Sequence, residues 1–352
     1  MKLVCFKNEN DIKNYTNKFN NHFYDFIKNN LEKPWNWSYL SHNNNITFDI
    51  ILNNLDKPWN WTYISMNPNI TMDMIEKHQD KPWDWSYISM NPNITLDMIE
   101  KYPDKSWDWY WISQNSAITM DMIDSNLDKW WDWTLISMNP NLTIDMIDRH
   151  SDKSWAWNYI SMNPAITMDM IDNNPEKFWD WNYITYNPNL NMDFINKYPN
   201  KPWDWFYISQ NINISIDMIK NNSTKSWNWT CISHNPNITM DYIEKNLHMP
   251  WDWRYISENI NLTMDFINKY YDKSWNWSTI SKNPSITFDI IKNNFRKPWD
   301  WKYISQNQMK NGKELWIKEN IKKLEIKRQI SYKILCNKLD SDICELIINN
   351  II

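Results

Sequence analysis

The sequence predicts an all-α fold, an α-solenoid of short helix pairs stacked as a right-handed superhelix, and three observations carry that prediction. Trp-x-Trp recurs from Trp35 to Trp299 in twelve copies at an unbroken step of 24 residues. A period of that length marks a tandem array in which each unit buries its apolar face against its neighbours. The twelve pairs take 24 of the 27 tryptophans, so the aromatic excess belongs to the repeat rather than to a site. Within each copy the apolar residues fall at helical spacing, and Thr, Asp, Ser and Pro stand where helix ends need them.

Residues 1–21 are polar and out of register, which predicts an N-terminal cap; the start Met1-Lys2-Leu3-Val4-Cys5-Phe6-Lys7 carries no export signal. The array occupies about 22–309, because Asp25 and Ile27 precede Asp49 and Ile51 by one full period. Residues 71–94 serve as the type unit. Thr71 is positioned to cap a first helix, and Asp73 lies in its first turn, where the helix dipole favours a carboxylate. Met72, Met74, Ile75 and His78 fall on one arc and Asp73, Glu76 and Lys77 on the other.

A second helix is expected from near Trp83, announced by Pro82 or, in other copies, by Ser106, Ser154, Ser226 or Ser274, with Asp84 in its first turn. It is apolar on two flanks, as a helix sandwiched between units must be. Asn91 before Pro92 closes it, Asn tolerating a left-handed conformation in a chain whose one glycine is Gly312. A leucine-rich repeat shares the period, but its LxLxxN strand run is absent. Past Asn307 the register fails, since Lys313 stands where Asp would; 310–352 is predicted as a locally basic C-terminal helical cap, with Leu315, Trp316, Ile317, Ile321 and Leu324 in helical rhythm.

A net charge of −5, a mean hydropathy of −0.74 and no apolar run of spanning length predict a soluble chain without membrane contact. Cys5, Cys231, Cys336 and Cys344 form no CxxC pair, which predicts free thiols. The column Asp49, Asp73, Asp97 and onward to Asp289 resembles a carboxylate ladder, but its place at helix starts and the Lys or Arg four residues on (Asp73/Lys77, Asp97/Lys101, Asp145/Arg149, Asp193/Lys197, Asp241/Lys245) give it a structural use. His42, His78, His150 and His234 lack metal-ligand spacing. No phosphate loop, nucleophile elbow or catalytic carboxylate pair occurs, so no catalytic, cofactor-binding or metal residues and no cofactor are expected.

The copies differ most on one face of the second helix, three and seven residues after its first Trp, from Ser38 and His42 round to Lys302 and Gln306. The candidate partner-binding residues of this stripe are Tyr110, Gln114, Thr134, Met138, Asn158, Met162, Asn182, Tyr186, Phe206, Gln210, Thr230, His234, Arg254 and Glu258. Repeat proteins use such an extended surface for partners. Lys310 to Lys338 carries nine Lys or Arg against three Glu, a local +6; interleaved Ile and Leu make it the solvated face of a capping helix before they make it a nucleic-acid site.

The unit Asn-Pro-Asn-Ile-Thr-x-Asp-x-Ile followed by Asp-Lys-Pro-Trp-Asp-Trp-x-Tyr-Ile-Ser resembles the tandem-repeat proteins of giant DNA viruses of the mimivirus kind, over about residues 22–309. That resemblance implies a viral protein acting in the host cytoplasm or virion and brings no active site. The departures are Met249 for Lys, Ala156 for Asp or Asn, and Ile212 or Ile260 for Pro. The function expected is a non-enzymatic protein–protein interaction scaffold with an unidentified protein partner. A self-associating virion or viral-factory component, and so a homo-oligomer, is the alternative, and nucleic-acid binding through the basic C-terminal segment stands behind both.

Overall fold

Short helices need their ends satisfied, and here nearly every end is. The computed structural model describes residues 9–336, and every regular element among them is a helix, α1 to α25 in chain order. α1 spans Glu9–Lys28 and α25 spans Lys310–Cys336; between them lie 23 helices of four to six residues. Helices of one or two turns do not persist alone, so caps and stacking must hold them. Ten of the eleven first helices from α3 (Phe48–Leu52) to α23 (Phe288–Asn293) have a capping side chain, as where Thr143 Oγ1 accepts from the Met146 amide at 3.2 Å. Thr71 is the exception and makes no such bond.

Second helices start later than the sequence suggests. They begin at the second Trp of each pair, as in α2 (Trp37–His42) and α4 (Trp61–Ser65), and the residue between the tryptophans is the cap. Asp132 Oδ1 accepts from the Leu135 amide at 3.1 Å, for example, whereas Ala156 leaves its helix without a side-chain cap. The preceding Pro or Ser lies outside the helix. The Asn that closes the helix is not left-handed either: Asn115 has φ −66 and ψ 125, and Met309 is the one non-glycine residue with positive φ among those described.

The core is built of columns. Ile64, Ile112 and Ile208 of the second helices, Ile70, Ile118 and Ile214 of the following loops, and Ile75, Ile123 and Ile171 of the first helices are all buried. The first Trp of every pair donates Nε1 to the carbonyl five residues earlier, as Trp131 does to Asn126 at 2.7 Å, so the indole's polar atom is satisfied as its ring is buried. The second Trp packs edge to face on the first Trp of the next repeat, Trp109 on Trp131 at 5.0 Å and 88°.

Two polar columns run across the junctions between repeats, the Ser column being broken at Thr185. A buried Ser hydroxyl donates to the carbonyl of the second Trp and accepts the amide 19 residues on: Ser113 to Trp109 at 2.7 Å, and from Asp132 at 2.9 Å. An Asn donates Nδ2 to one or more of the carbonyls 21, 24 and 26 residues back and accepts from the amide two residues on. Asn259 bonds in this way to Ile238, Asn235 and Ser233 at 3.0–3.2 Å, and to Asn261 at 2.8 Å. Buried amides without such partners would each cost several kcal/mol.

The same bonds join the last repeat to the first. The Asn36 amide donates to Ser305 Oγ at 3.0 Å, Asn43 Nδ2 donates to the Ser305 and Asn307 carbonyls at 3.0 Å each, and Trp35 meets Trp301 edge to face at 5.0 Å. At the neighbouring junction the equivalents are Asn60 to Ser41 at 2.9 Å, Asn67 to Ser41 at 2.9 Å and to Asn43 at 3.4 Å, and Trp59 against Trp37 at 5.0 Å. The α-solenoid therefore closes: twelve repeats form a ring, and α2 packs on α24 (Trp301–Gln306) as it packs on α4. Periodicity alone does not distinguish a ring from an open superhelix.

The last turns of α1 take the first-helix slot of the first repeat. Phe26 stacks on Trp301 and meets Trp35 edge-on, the relation that Phe194 has to Trp181 and Trp203 in the middle of the chain. α25 would fall in the same slot by register but leaves it at Met309, whose side chain is buried, and runs antiparallel along α1. Trp316 packs on Tyr15, Phe19 and His22, and Arg328 bonds both carboxylate oxygens of Asp11. Gly312 explains itself here: its amide reaches the Pro284 carbonyl, and a Cβ would meet Thr287 Cγ2 at 2.1 Å. Residues 1–8 of the expected N-terminal cap and 337–352 of the C-terminal one lie outside the described residues.

Candidate interaction surface

In a closed ring the arc per repeat is shorter at smaller radius. Among the short helices α2 to α24 the close backbone approaches run between second helices of successive repeats, α24 to α2 included, and no two of the short first helices match them. Second helices therefore form the inner wall and first helices the outer one. Twelve helices at the usual spacing of about 8–10 Å enclose an opening of roughly 20–28 Å after side chains are allowed for.

The stripe read from the sequence lies on these inner helices. Tyr110, Thr134, Asn182, Tyr186, Phe206, Arg254 and Glu258 are exposed, Gln114, Met138, Asn158, Met162, Gln210, Thr230 and His234 are half-buried, and none is in the core. Its two rows have different neighbours. The first row leans toward the cap of the next helix: Thr62 Oγ1 reaches Asp84 and Ser278 Oγ reaches Asp300 at 2.9 Å. The second row meets a residue outside the stripe read from the sequence, the one four after the first Trp, which is Tyr in eight copies. Tyr186 lies 3.9 Å from the ring of Tyr207, His234 5.8 Å from Tyr255, Gln210 Nε2 3.3 Å from Cys231 Sγ, and Lys282 over Tyr303. The signal that could have found this column is its own variation, to Trp111, Leu135, Cys231 and Thr279.

Three groups of this wall are held toward their neutral forms. The hydrogen-bonded contact with Tyr207, followed by burial, raises the Tyr186 phenol to about 12, burial lowers the His42 imidazole, and burial raises the Cys231 thiol. Arg254, Lys282 and Lys302 are the stripe's Lys or Arg residues, all in the last three repeats, with Glu258 among them. The repeats diametrically opposite that sector are the fourth to sixth, whose cap positions are Asp108, Asp132 and Ala156. The tryptophans of the outer layers are structural: lysines cover the second Trp of the preceding repeat in seven places, Lys201 at 4.0 Å from the Trp181 ring and Lys33 over Trp301 across the closure.

The carboxylate column pairs differently from expectation. Within the first helices only Asp145–Arg149 and Asp241–Lys245 form among the five expected pairs; Lys101 and Lys197 turn instead to Glu76 and Asp172 of the preceding repeat, at 2.9 and 2.7 Å. The reason is reach, because neighbouring first helices present a half-buried carboxylate closer to the ammonium than the solvated one in the same helix. No group of three or more His, Cys, Asp or Glu stands ready for a metal among the described residues. A cleft of about 550 Å³ between α1 and α3, lined by Asn17, Asn21, Tyr24, Asn53 and Asn54, is polar and lies apart from the stripe.

Fold and wall together define a closed-ring α-solenoid with an aromatic and thioether-rich opening. No family model matches the chain, and no curated protein or solved structure matches it either.

Proposed function

We propose that the ring is a non-enzymatic interaction scaffold that takes a protein partner against its inner wall. The observation carrying this reading is the composition of that wall, where Tyr, Phe and Met alternate with Asn, Gln, Ser and Thr. Tyr offers a large rigid contact at low entropic cost, Met adapts its shape, and short polar side chains offer adjustable hydrogen bonds, a mixture typical of protein-recognition surfaces. The wall lacks the dense cationic lining that encircling a phosphate backbone requires. The likeness of the repeat unit to giant-virus proteins suggests a partner met in an infected cell.

The test is affinity capture from infected-cell extract with the wild-type ring, a stripe variant (Tyr186→Ser, Phe206→Ser, Met138→Ser, Met162→Ser) and an outer-face variant (Asp145→Asn, Asp169→Asn). A partner retained by the wild-type and outer-face proteins and lost from the stripe variant is expected. Identical capture by all three, or none by any, counts against the scaffold. The second reading, self-association into a virion or factory component, predicts a mass by light scattering that rises with concentration.

A further inference from the structure

A ring can receive an internal stretch of a long chain only by opening, and one junction alone can open it. Eleven of the twelve junctions are crossed by the polypeptide, so separating their faces leaves the two sides tethered. Between the twelfth repeat and the first there is no peptide link, only non-covalent contacts, among them those that recur at other junctions: the Asn36–Ser305 bond, the Asn43 amide on two carbonyls, and the Trp35–Trp301 pair. What distinguishes this seam is the α1–α25 helix pair lying across it. Lys313 Nζ, from α25, donates to Asn20 Oδ1 of α1 at 2.7 Å and to Asn45 Oδ1 of the first repeat's loop at 3.0 Å.

That fastening is lightly seated. Leu315, Ile326 and Ile330 of α25 are 60%, 46% and 53% exposed, so much of its apolar surface is not committed to the ring. Its outer contact, Arg328–Asp11, is a pair on which the guanidinium is half exposed. The Lys313 ammonium is half-buried, with amide oxygens and the Phe19 ring around it and no carboxylate among its bonded partners. Elements with few buried apolar contacts are the ones that open locally below the global unfolding free energy.

We propose that the seam between the twelfth and first repeats is a gate, locked by α25 lying on α1, through which the ring admits an internal segment of a polypeptide to its opening. The cargo half of this proposal rests on the inner-wall reading above; the gate half is tested without cargo, so the two fail separately.

The other junctions supply internal controls, because the amides of Asn60, Asp132 and Asn228 make the Asn36 bond with the same geometry, at 2.9 Å to Ser41, Ser113 and Ser209. Hydrogen exchange on the full-length protein, corrected for intrinsic rates, should show Asn36 exchanging at least as fast as these three. In Trp316→Ala/Arg328→Glu, Asn36 should exchange about tenfold faster or more while Asp132 is unchanged. The single variant Arg328→Glu, which leaves the apolar contacts of α25 in place, should move Asn36 the same way by less. An unchanged Asn36 in both variants, or acceleration at all four amides alike, overturns the gate.

Discussion

Replacing Asn259 by Asp changes one atom of the polar column and reverses its hydrogen bonding. In the ring the Asn259 side chain is fully buried, its Nδ2 serves carbonyls of Ser233, Asn235 and Ile238, and its Oδ1 accepts from the Asn261 amide. A carboxylate keeps the last bond and sets a second negative oxygen against three carbonyls. Each carbonyl deprived of its donor costs about 1–3 kcal/mol, although some retain other donors, and the buried charge adds its own penalty, so Asn259→Asp should destabilise by about 3–5 kcal/mol at pH 7. The carboxyl relieves this by holding its proton, which raises its pKa in the fold above the unfolded value near about 3.9. A raised folded pKa means stability present below the unfolded pKa and lost as pH rises, so the gap from wild type should shrink between pH 7 and pH 4. Urea and thermal melts of both proteins at the two pH values measure it, with the exposed Asn182→Asp as control. A gap below about 1 kcal/mol at pH 7 that does not change with pH would refute the argument that this column's amide donors hold adjacent repeats together.

Trp131→Ala should cost about 3–5 kcal/mol, since it removes a buried ring, an edge-to-face partner and a satisfied Nε1, while Thr134→Ala on the exposed wall should cost under about 0.5; thermal melts compare them. Thr185 stands where eleven copies have Ser, and its buried Oγ1 has no partner, so Thr185→Ser should stabilise by about 1 kcal/mol as the two standard bonds form, and a loss of stability in urea melts would contradict this. Burial lowers Lys313 from 10.5 to about 8, so its charged form penalises the fold below pH 8 and the penalty is released as pH rises toward 10.5. Stability of the wild type should therefore climb over that window relative to Lys313→Met, and parallel pH profiles would show that the ammonium is not desolvated.

The helices, their pairing and the Trp core were legible in the sequence because each rests on local chemistry repeated twelve times. Thr143 reads as a cap and Trp131 as core wherever the chain goes. The start of the second helix was misplaced because Pro82 and Asp84 both suit a helix start; the Asp84 carboxylate accepts the Tyr87 amide and so takes the cap. Closure was not legible, because it depends on a small turn per repeat that no single residue encodes. The stripe Tyr110 to Glu258 was visible as variation, yet that it faces an enclosed space follows only from closure. The Asn column looked like helix-end punctuation and the Ser113 column carried no reading at all, since nothing local shows that Ser113 bonds a residue 19 positions ahead.

Closure also makes the number of units a structural quantity. An open solenoid can lengthen or shorten by whole units at its ends, and its curvature merely continues. In this ring the Asn36–Ser305 bond and its companions form only when twelve angular steps complete the circle. A duplicated or deleted unit would leave the two ends out of phase, however well each unit folds. Single side chains on the wall can be exchanged without touching the closure, whereas the number of units cannot, so the count of repeats is itself part of what specifies the fold.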